Sequence, residues 1–249
     1  MLSFGMRCHD ICPKMPMEEL FQEVRANQID QIQLAFGKSI SDYDFSVGHY
    51  SPGFGRYIAS LLEKNQIHVA VLGCYINPIH PIESRRQAEV ARFIEHMKYA
   101  RIIGADMREI VSAAEKLGVT VGVEGVFDHT LYSPAMMKRF LEDIDSPNVE
   151  VILDSVNLIH PDEVERQEEV IDKAFAYYGD RITMLHMKDF VFDGSSQIFR
   201  HVGEGLFQYE PLMKHLKEKK PHITMLLENS NKERYHSDVE FLKEIYDRV

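Results

Sequence analysis

The chain has 249 residues, 45% of them hydrophobic and 27% charged, an ordinary globular composition with enough apolar residues for a large core. Its formal charge of −11 argues against a nucleic-acid backbone as partner. Three scattered cysteines (Cys8, Cys12 and Cys74) do not make a disulfide framework, and no second Cys/His cluster completes a metal knuckle around Cys8, His9 and Cys12. The first residues carry no apolar stretch of the signal-peptide kind, and no run reaches the roughly 18 apolar residues of a membrane span. A cytoplasmic protein is expected.

In chain order, short apolar runs alternate with longer amphipathic segments. Leu2–Arg7 reads as a strand, followed by a helix opening near Pro16, then Ile29–Phe36 as a second strand. Tyr57, Ile58, Leu61 and Leu62 are spaced for one helix face, so Phe54–Asn65 reads as a helix. Ile67–Ile76 is the third strand. Ile82–Ile103 reads as a long helix, and Met107–Leu117 as another that stops at Gly118. Val119–Glu124 is a strand, and Ser133-Pro134 opens a helix with a capping residue and a proline at its first position. Val149–Leu153, Ile182–His186 and Ile223–Glu228 are the last strands. Helices at Val164–Tyr178, Tyr209–Lys219 and Ser237–Asp247 follow them in turn.

Near-continuous apolar strands separated by helices predict a parallel sheet covered by helices. About 250 residues is the usual size of a (β/α)8 barrel, so residues 1–249 are read as one such domain. The rival is a doubly wound open sheet. It would normally carry a Gly-rich turn after its first strand, where this chain has Arg7-Cys8-His9-Asp10-Ile11-Cys12-Pro13. Seven strands are plain, and the fourth barrel strand is shortened or missing around Gly104–Met107. Gly104-Ala105-Asp106 can span only about 11 Å, less than the length of about 16 Å of an 11-residue helix. Either part of the chain is omitted there or the topology is altered.

Four strands end in a liganding side chain: Val119–Val123 leads into Glu124, Val149–Leu153 into Asp154, Ile182–Leu185 into His186 and Ile223–Leu227 into Glu228. Their separations are each about one strand–helix unit, which brings them to one rim, where barrels place their chemistry. Three carboxylates this close do not all ionise unaided. A divalent cation resolves the repulsion, and the His supplies a neutral nitrogen ligand. Such an oxygen-rich set with one nitrogen suits Mn²⁺, Mg²⁺, Zn²⁺ or Co²⁺. For each residue alone, a strand-end polar group bonded to loop backbone is the alternative.

The runs Val121-Gly-Val-Glu124-Gly, Ile152-Leu-Asp154-Ser-Val-Asn157-Leu, Leu185-His186-Met-Lys188-Asp189, His201-Val-Gly-Glu-Gly205 and Leu226-Leu-Glu228-Asn resemble the xylose isomerase-like barrel superfamily, in its sugar phosphate isomerase/epimerase branch. The likeness is strongest from about Leu117 to Asn229. It implies one metal ion held by Glu124, Asp154, His186 and Glu228, and isomerase or epimerase chemistry on a sugar, sugar phosphate or related hydroxy-carbonyl compound. Glu124 and Glu228 are then the proton-transferring carboxylates. His129, Asn157 and Lys188 are candidate substrate contacts; for Lys188 an ion pair with Asp154 is the alternative. Lining candidates at the first and third strand ends are His9, Asp10, Tyr75 and Asn77, and Gly203-Glu204-Gly205 reads as a backbone turn rather than a phosphate cradle.

Two positions depart from the ketose 3-epimerases of this superfamily. Asn157 stands where they are similar in carrying a His, and Phe192 where they carry an Arg. Both replaced groups would touch substrate oxygens, which leaves a free ketohexose unsupported while the ligand set is intact. Three other functions fit the scaffold: an inosose-type dehydratase, a nuclease of the endonuclease IV kind, and a non-catalytic sugar- or metal-binding barrel. A homodimer is expected only by analogy with other barrels of this kind.

Overall fold

The computed structural model describes residues 2–46, 48–49, 51–75, 82–85, 87–89, 91–92, 111–112, 114–116, 118–194 and 196–249. The chain forms two compact units, one of residues 1–6, 122–145 and 150–249, the other of residues 7–121 and 146–149. The expected gap at Gly104–Met107, the strand end at Asn77 and most of the helix expected at Ile82–Ile103 lie outside the described residues.

The first unit is built on β1 (Ser3–Arg7), β4 (Val121–Val123), β5 (Val149–Asp154), β6 (Ile182–Met187) and β9 (Thr224–Leu227), apart from a terminal residue of three of them. Their spatial order is β1-β9-β6-β5-β4. The pairs β1·β9, β9·β6 and β6·β5 are parallel, in registers that place Asp154 beside His186 and Met187 beside Leu227. Leu153, Leu185, Met225, Leu226 and Leu227 are buried, as expected for strands covered on both faces. Parallel neighbours need a crossover, and the helices Pro134–Ile144, Gln167–Tyr178 and Tyr209–Lys219 supply it. The first of these starts where the sequence predicts: Ser133 is extended, and its hydroxyl accepts from Met136 N at 3.4 Å. Met137 and Leu141 are its buried face. The closing helix Tyr235–Arg248 buries Tyr235, Val239, Leu242 and Ile245, the i, i+4, i+7 spacing of a one-sided helix.

The same unit holds a feature absent from the sequence reading, an antiparallel hairpin of β7 (Asp189–Asp193) and β8 (Ser196–Arg200) directly after the end of β6. Its turn contains Gly194 at φ +60°, a conformation that suits glycine. Asp189 anchors the hairpin base. Its Oδ1 accepts from Phe190 N at 2.8 Å and Phe207 N at 2.9 Å, and its Oδ2 lies 3.1 Å from the Tyr209 hydroxyl. Gly205 packs so closely here that a Cβ would overlap Phe190 O and Asp189 Oδ1.

In the second unit β2 (Gln31–Leu34) pairs in parallel with β3 (His68–Leu72). The helix Met17–Ala26 buries Met17, Leu20, Phe21 and Val24. The helix Pro52–Asn65 begins at Ser51, which caps Phe54 N, and buries Ile58 and Leu61. Gly118, expected as a helix stop, sits at φ +64°, the left-handed conformation of such stops. No helix among the described residues is long and apolar enough to cross a membrane.

Candidate active site

Four side chains meet at the ends of the first unit's strands, and all come from the positions read off the sequence. His186, in β6, turns its Nδ1 to within 3.3 Å of Glu124 Oε2 and 3.3 Å of Glu228 Oε1. Glu124 follows β4, Asp154 closes β5 and Glu228 follows β9. Glu124, Asp154 and His186 each offer one ligand atom within 4.8 Å of the others, the one such grouping of His, Cys, Asp and Glu found among the described residues. Glu228 joins through His186 and through Lys188. The backbone N–H of Glu228 donates to Met187 O at 2.9 Å, fixing its height on the rim.

One oxygen each of Glu124 and Glu228, and both oxygens of Asp154, are held by neighbouring groups. Lys188 Nζ lies 2.5 Å from Asp154 Oδ2 and 2.8 Å from Glu228 Oε2. Asn157 Nδ2 donates to Glu124 Oε1 at 2.6 Å, and Asn157 N donates to Asp154 Oδ1 at 3.1 Å. Glu124 Oε2 and Glu228 Oε1 are thus left facing His186 Nδ1. Lys188 is only 2% exposed, and the Phe199 ring of the hairpin covers its ammonium with the centroid at 4.3 Å. Gln197, also on the hairpin, donates to Val156 O at 2.9 Å and ties it to the loop after Asp154.

Charge crowding shapes the protonation of the set. Burial raises the Asp154 carboxyl to about 6; Lys188 pulls it down, while Glu124 and Glu228 push it up. Burial alone would lower the pKa of His186, but the facing carboxylates of Glu124, Glu228 and Asp154 outweigh it and leave it raised. Burial would also lower that of Lys188, and Asp154 and Glu228 together drive it above its ordinary value. Lys188 is thus an ammonium. Three carboxylate oxygens and one imidazole nitrogen are a donor set for a divalent cation of the hard-to-borderline kind. Glu124, Asp154, His186 and Glu228 would hold it.

Asn157 and Lys188 are in contact with the clustered carboxylates, and the ion pair with Asp154 expected as one option for Lys188 is present. His129 stands apart, exposed on the turn after Glu124 and 3.6 Å from Asp128 Oδ1. In the Gly203–Gly205 turn, Gly203 N donates to the Tyr209 hydroxyl at 3.1 Å and Glu204 N to His201 O at 3.1 Å. Leu206 N donates to Phe190 O at 2.8 Å, so these N–H groups are engaged internally, as a backbone turn requires. In the second unit, Tyr75 accepts from Gln33 Nε2 at 3.1 Å and lies under Lys38 Nζ at 3.5 Å, with His9 edge-on at 6.0 Å. Phe199 and Gln197 were not foreseen. The alternating run Phe190-Val-Phe-Asp-Gly-Ser-Ser-Gln-Ile-Phe199, with Asp-Gly at its centre, is the pattern that marks a hairpin.

Residues 103–245 match the family model described as the xylose isomerase-like TIM barrel, and the chain belongs to that family. Solved structures of similar fold include 3-keto-D-glucoside 4-epimerase from E. coli, at 14% identity with a TM-score of 0.70, covering 98% of this chain and 100% of the other. A xylose isomerase-like TIM barrel protein from Mycobacterium smegmatis in complex with magnesium matches at 13% identity and a TM-score of 0.68, covering 98% and 97%. Endonuclease IV from Thermus thermophilus matches at 15% identity and a TM-score of 0.68, covering 99% and 100%. No curated protein matches the chain. At these identities the likeness to solved structures is one of fold.

Proposed function

We propose that this chain is a divalent-metal-dependent isomerase or epimerase acting on a sugar or related hydroxy-carbonyl compound. The observation that carries this reading is the grouping of Glu124, Asp154 and His186, with Glu228 Oε1 3.3 Å from His186 Nδ1 and the carboxylates braced by Asn157 and Lys188. When bound, the metal supplies Lewis-acid polarisation of a substrate carbonyl and the hydroxyl beside it. The chain itself moves the proton. Glu124 and Glu228 rise from β4 and β9, which are separated in the sheet by β6 and β5, so they approach a bound carbon from different directions. One carboxylate takes the proton from the C–H beside the carbonyl and leaves an enediolate; the other returns a proton to that carbon, giving the epimer. In an aldose–ketose isomerisation one carboxylate moves the proton between neighbouring carbons. Lys188, held as an ammonium against Asp154 and Glu228, offsets part of the negative charge during transfer.

Among the described residues, the Gly203–Gly205 turn lends a phosphate ester no specific support. The N–H groups of Gly203, Glu204 and Leu206 are engaged internally, and Arg234 lies 2.6 Å from Glu204 Oε1 and 3.5 Å from Asp238 Oδ1. Two measurements test the proposal. Elemental analysis should find near-stoichiometric Mn, Zn, Mg or Co, reduced in a Glu228→Gln variant. Incubation with unphosphorylated ketoses, keto-glycosides and inososes in D₂O should place deuterium on the carbon beside the carbonyl. Loss of water from an inosose would move the reading to a dehydratase. A wild-type protein that takes up no metal even with added Mn²⁺ or Zn²⁺ would overturn it.

A further inference from the structure

We infer that Asn157 is a positioning residue for the metal ligands. This rests on the reading above that Glu124, Asp154, His186 and Glu228 hold a divalent ion. Asn157 lies in the single 3-10 turn Val156–Leu158 that follows β5. From there it makes three hydrogen bonds that join two segments of the rim. Its side-chain nitrogen donates to Glu124 Oε1 at 2.6 Å, its backbone nitrogen to Asp154 Oδ1 at 3.1 Å, and its carbonyl accepts from Phe127 N at 2.8 Å. Two of the three reach the segment that carries Glu124, and the third holds the ligand of the neighbouring strand. One residue thereby sets the distance between two ligands that no covalent link constrains.

The donor end of the amide is taken by Glu124. Only the nitrogen can face a carboxylate oxygen at that distance, so the orientation of the group is determined by its partner. That nitrogen is engaged by Glu124. The amide oxygen Oδ1 is buried and has no hydrogen-bond partner among the described residues, and the residue as a whole is 7% exposed. The bond to Oε1 also decides which oxygen Glu124 presents. With Oε1 held outward, Oε2 is the atom that faces His186 Nδ1. Asn157 therefore makes Glu124 a ligand through one oxygen and keeps it from turning away. Hydrogen bonds of this kind to metal ligands govern affinity by about 10–100-fold when removed.

The test is Mn²⁺ binding, read from the free-ion EPR signal during titration, on wild type, Asn157→Ala, Glu124→Ala and the double variant, with metal-free circular dichroism as the fold control. A positioning role predicts a dissociation constant about 10–100-fold weaker for Asn157→Ala. In the Glu124→Ala background the same substitution should change it by less than about twofold, because its partner is gone. Should Asn157→Ala fail to fold, Asn157→Ser keeps the backbone bonds and a smaller polar side chain and carries the same expectation. Wild-type affinity in Asn157→Ala or Asn157→Ser would overturn the inference and leave the metal site standing, as would an equal loss in both backgrounds of the cycle. Absence of Mn²⁺ binding by the wild type would overturn the metal site and this inference together.

Discussion

Replacing Lys188 with methionine removes the cation wedged between two buried carboxylates and keeps most of the side-chain volume. The ammonium sits 2.5 Å from Asp154 and 2.8 Å from Glu228, and all three groups are almost fully buried. Breaking a buried pair by removing one partner costs about 3–5 kcal/mol. Protonation limits the loss, because burial already raises the Asp154 carboxyl to about 6 and removal of Lys188 raises it further. A net loss of about 3 kcal/mol at pH 8 is the working figure, and in a chain of 249 residues it lowers the melting temperature by roughly 6–12 °C. The pH dependence has a definite sign. The folded pKa of Asp154 stands above its unfolded value of about 3.9, so its contribution to stability is full below that value and gone once pH passes the folded pKa. The Lys188 ammonium holds that pKa down against the rise that burial causes, so the variant's carboxyl titrates higher still and the loss extends further up the pH scale. Melting of chelator-treated wild type and Lys188→Met should therefore diverge more at pH 8 than at pH 5.5. Added Mn²⁺ should restore much of the variant's stability, by about 2.7 kcal/mol at a hundredfold excess over the dissociation constant. Equal melting temperatures at pH 8, or a gap that closes as pH rises, would refute the charge reasoning.

Other perturbations probe the frame around the site. Gly205→Ala forces a methyl group against Phe190 O and the anchored carboxylate of Asp189; urea unfolding should show a loss of about 3 kcal/mol, and an unshifted midpoint would mean the turn is not packed as described. Ser133→Ala removes the cap of the helix Pro134–Ile144 and should cost about 1 kcal/mol by the same measurement. Cys8 is buried, and burial raises its thiol pKa well above the ordinary range, so it should react with a disulfide reagent at pH 8 only when the chain is unfolded. Cys74, half-buried and pushed up to about 12 by burial, should also react slowly; rapid labelling of either thiol in the folded protein would contradict that packing.

The seven strands read from apolar runs all correspond to observed strands, because a strand buried on both faces needs hydrophobic residues at consecutive positions, and few other elements do. The grouping of Glu124, Asp154, His186 and Glu228 was legible for a related reason: one polar residue at the end of each of these apolar runs stands out, and parallel strands put their ends on one rim. What a run of letters does not carry is the partner of a polar group. Lys188 had two readings with equal local support; its pair with Asp154 was one of them, while its pair with Glu228, forty residues on, had no local signal. Asn157 acts on Glu124 across two strands, a relation with no local signature. His129 shares Glu124's loop yet lies exposed. The β7–β8 hairpin had its Asp-Gly signal in view, but the expected strand–helix alternation took precedence over it.

The pairing of β1 with β9 sets an order of events in making this protein. Ser3 lies opposite Thr224, and Met6 opposite Leu227, so contacts of the longest sequence separation close the first unit. During synthesis at about 5–20 residues per second, β1 waits roughly 10 to 45 s before that partner strand has been made. Glu228 comes one residue after the strand it waits for. The step that closes this unit and the step that delivers the last of the four clustered side chains are therefore one kinetic event, slow because of loop-closure entropy. A nascent chain stalled before β9 would hold three of the four clustered side chains and lack the strand that carries the last.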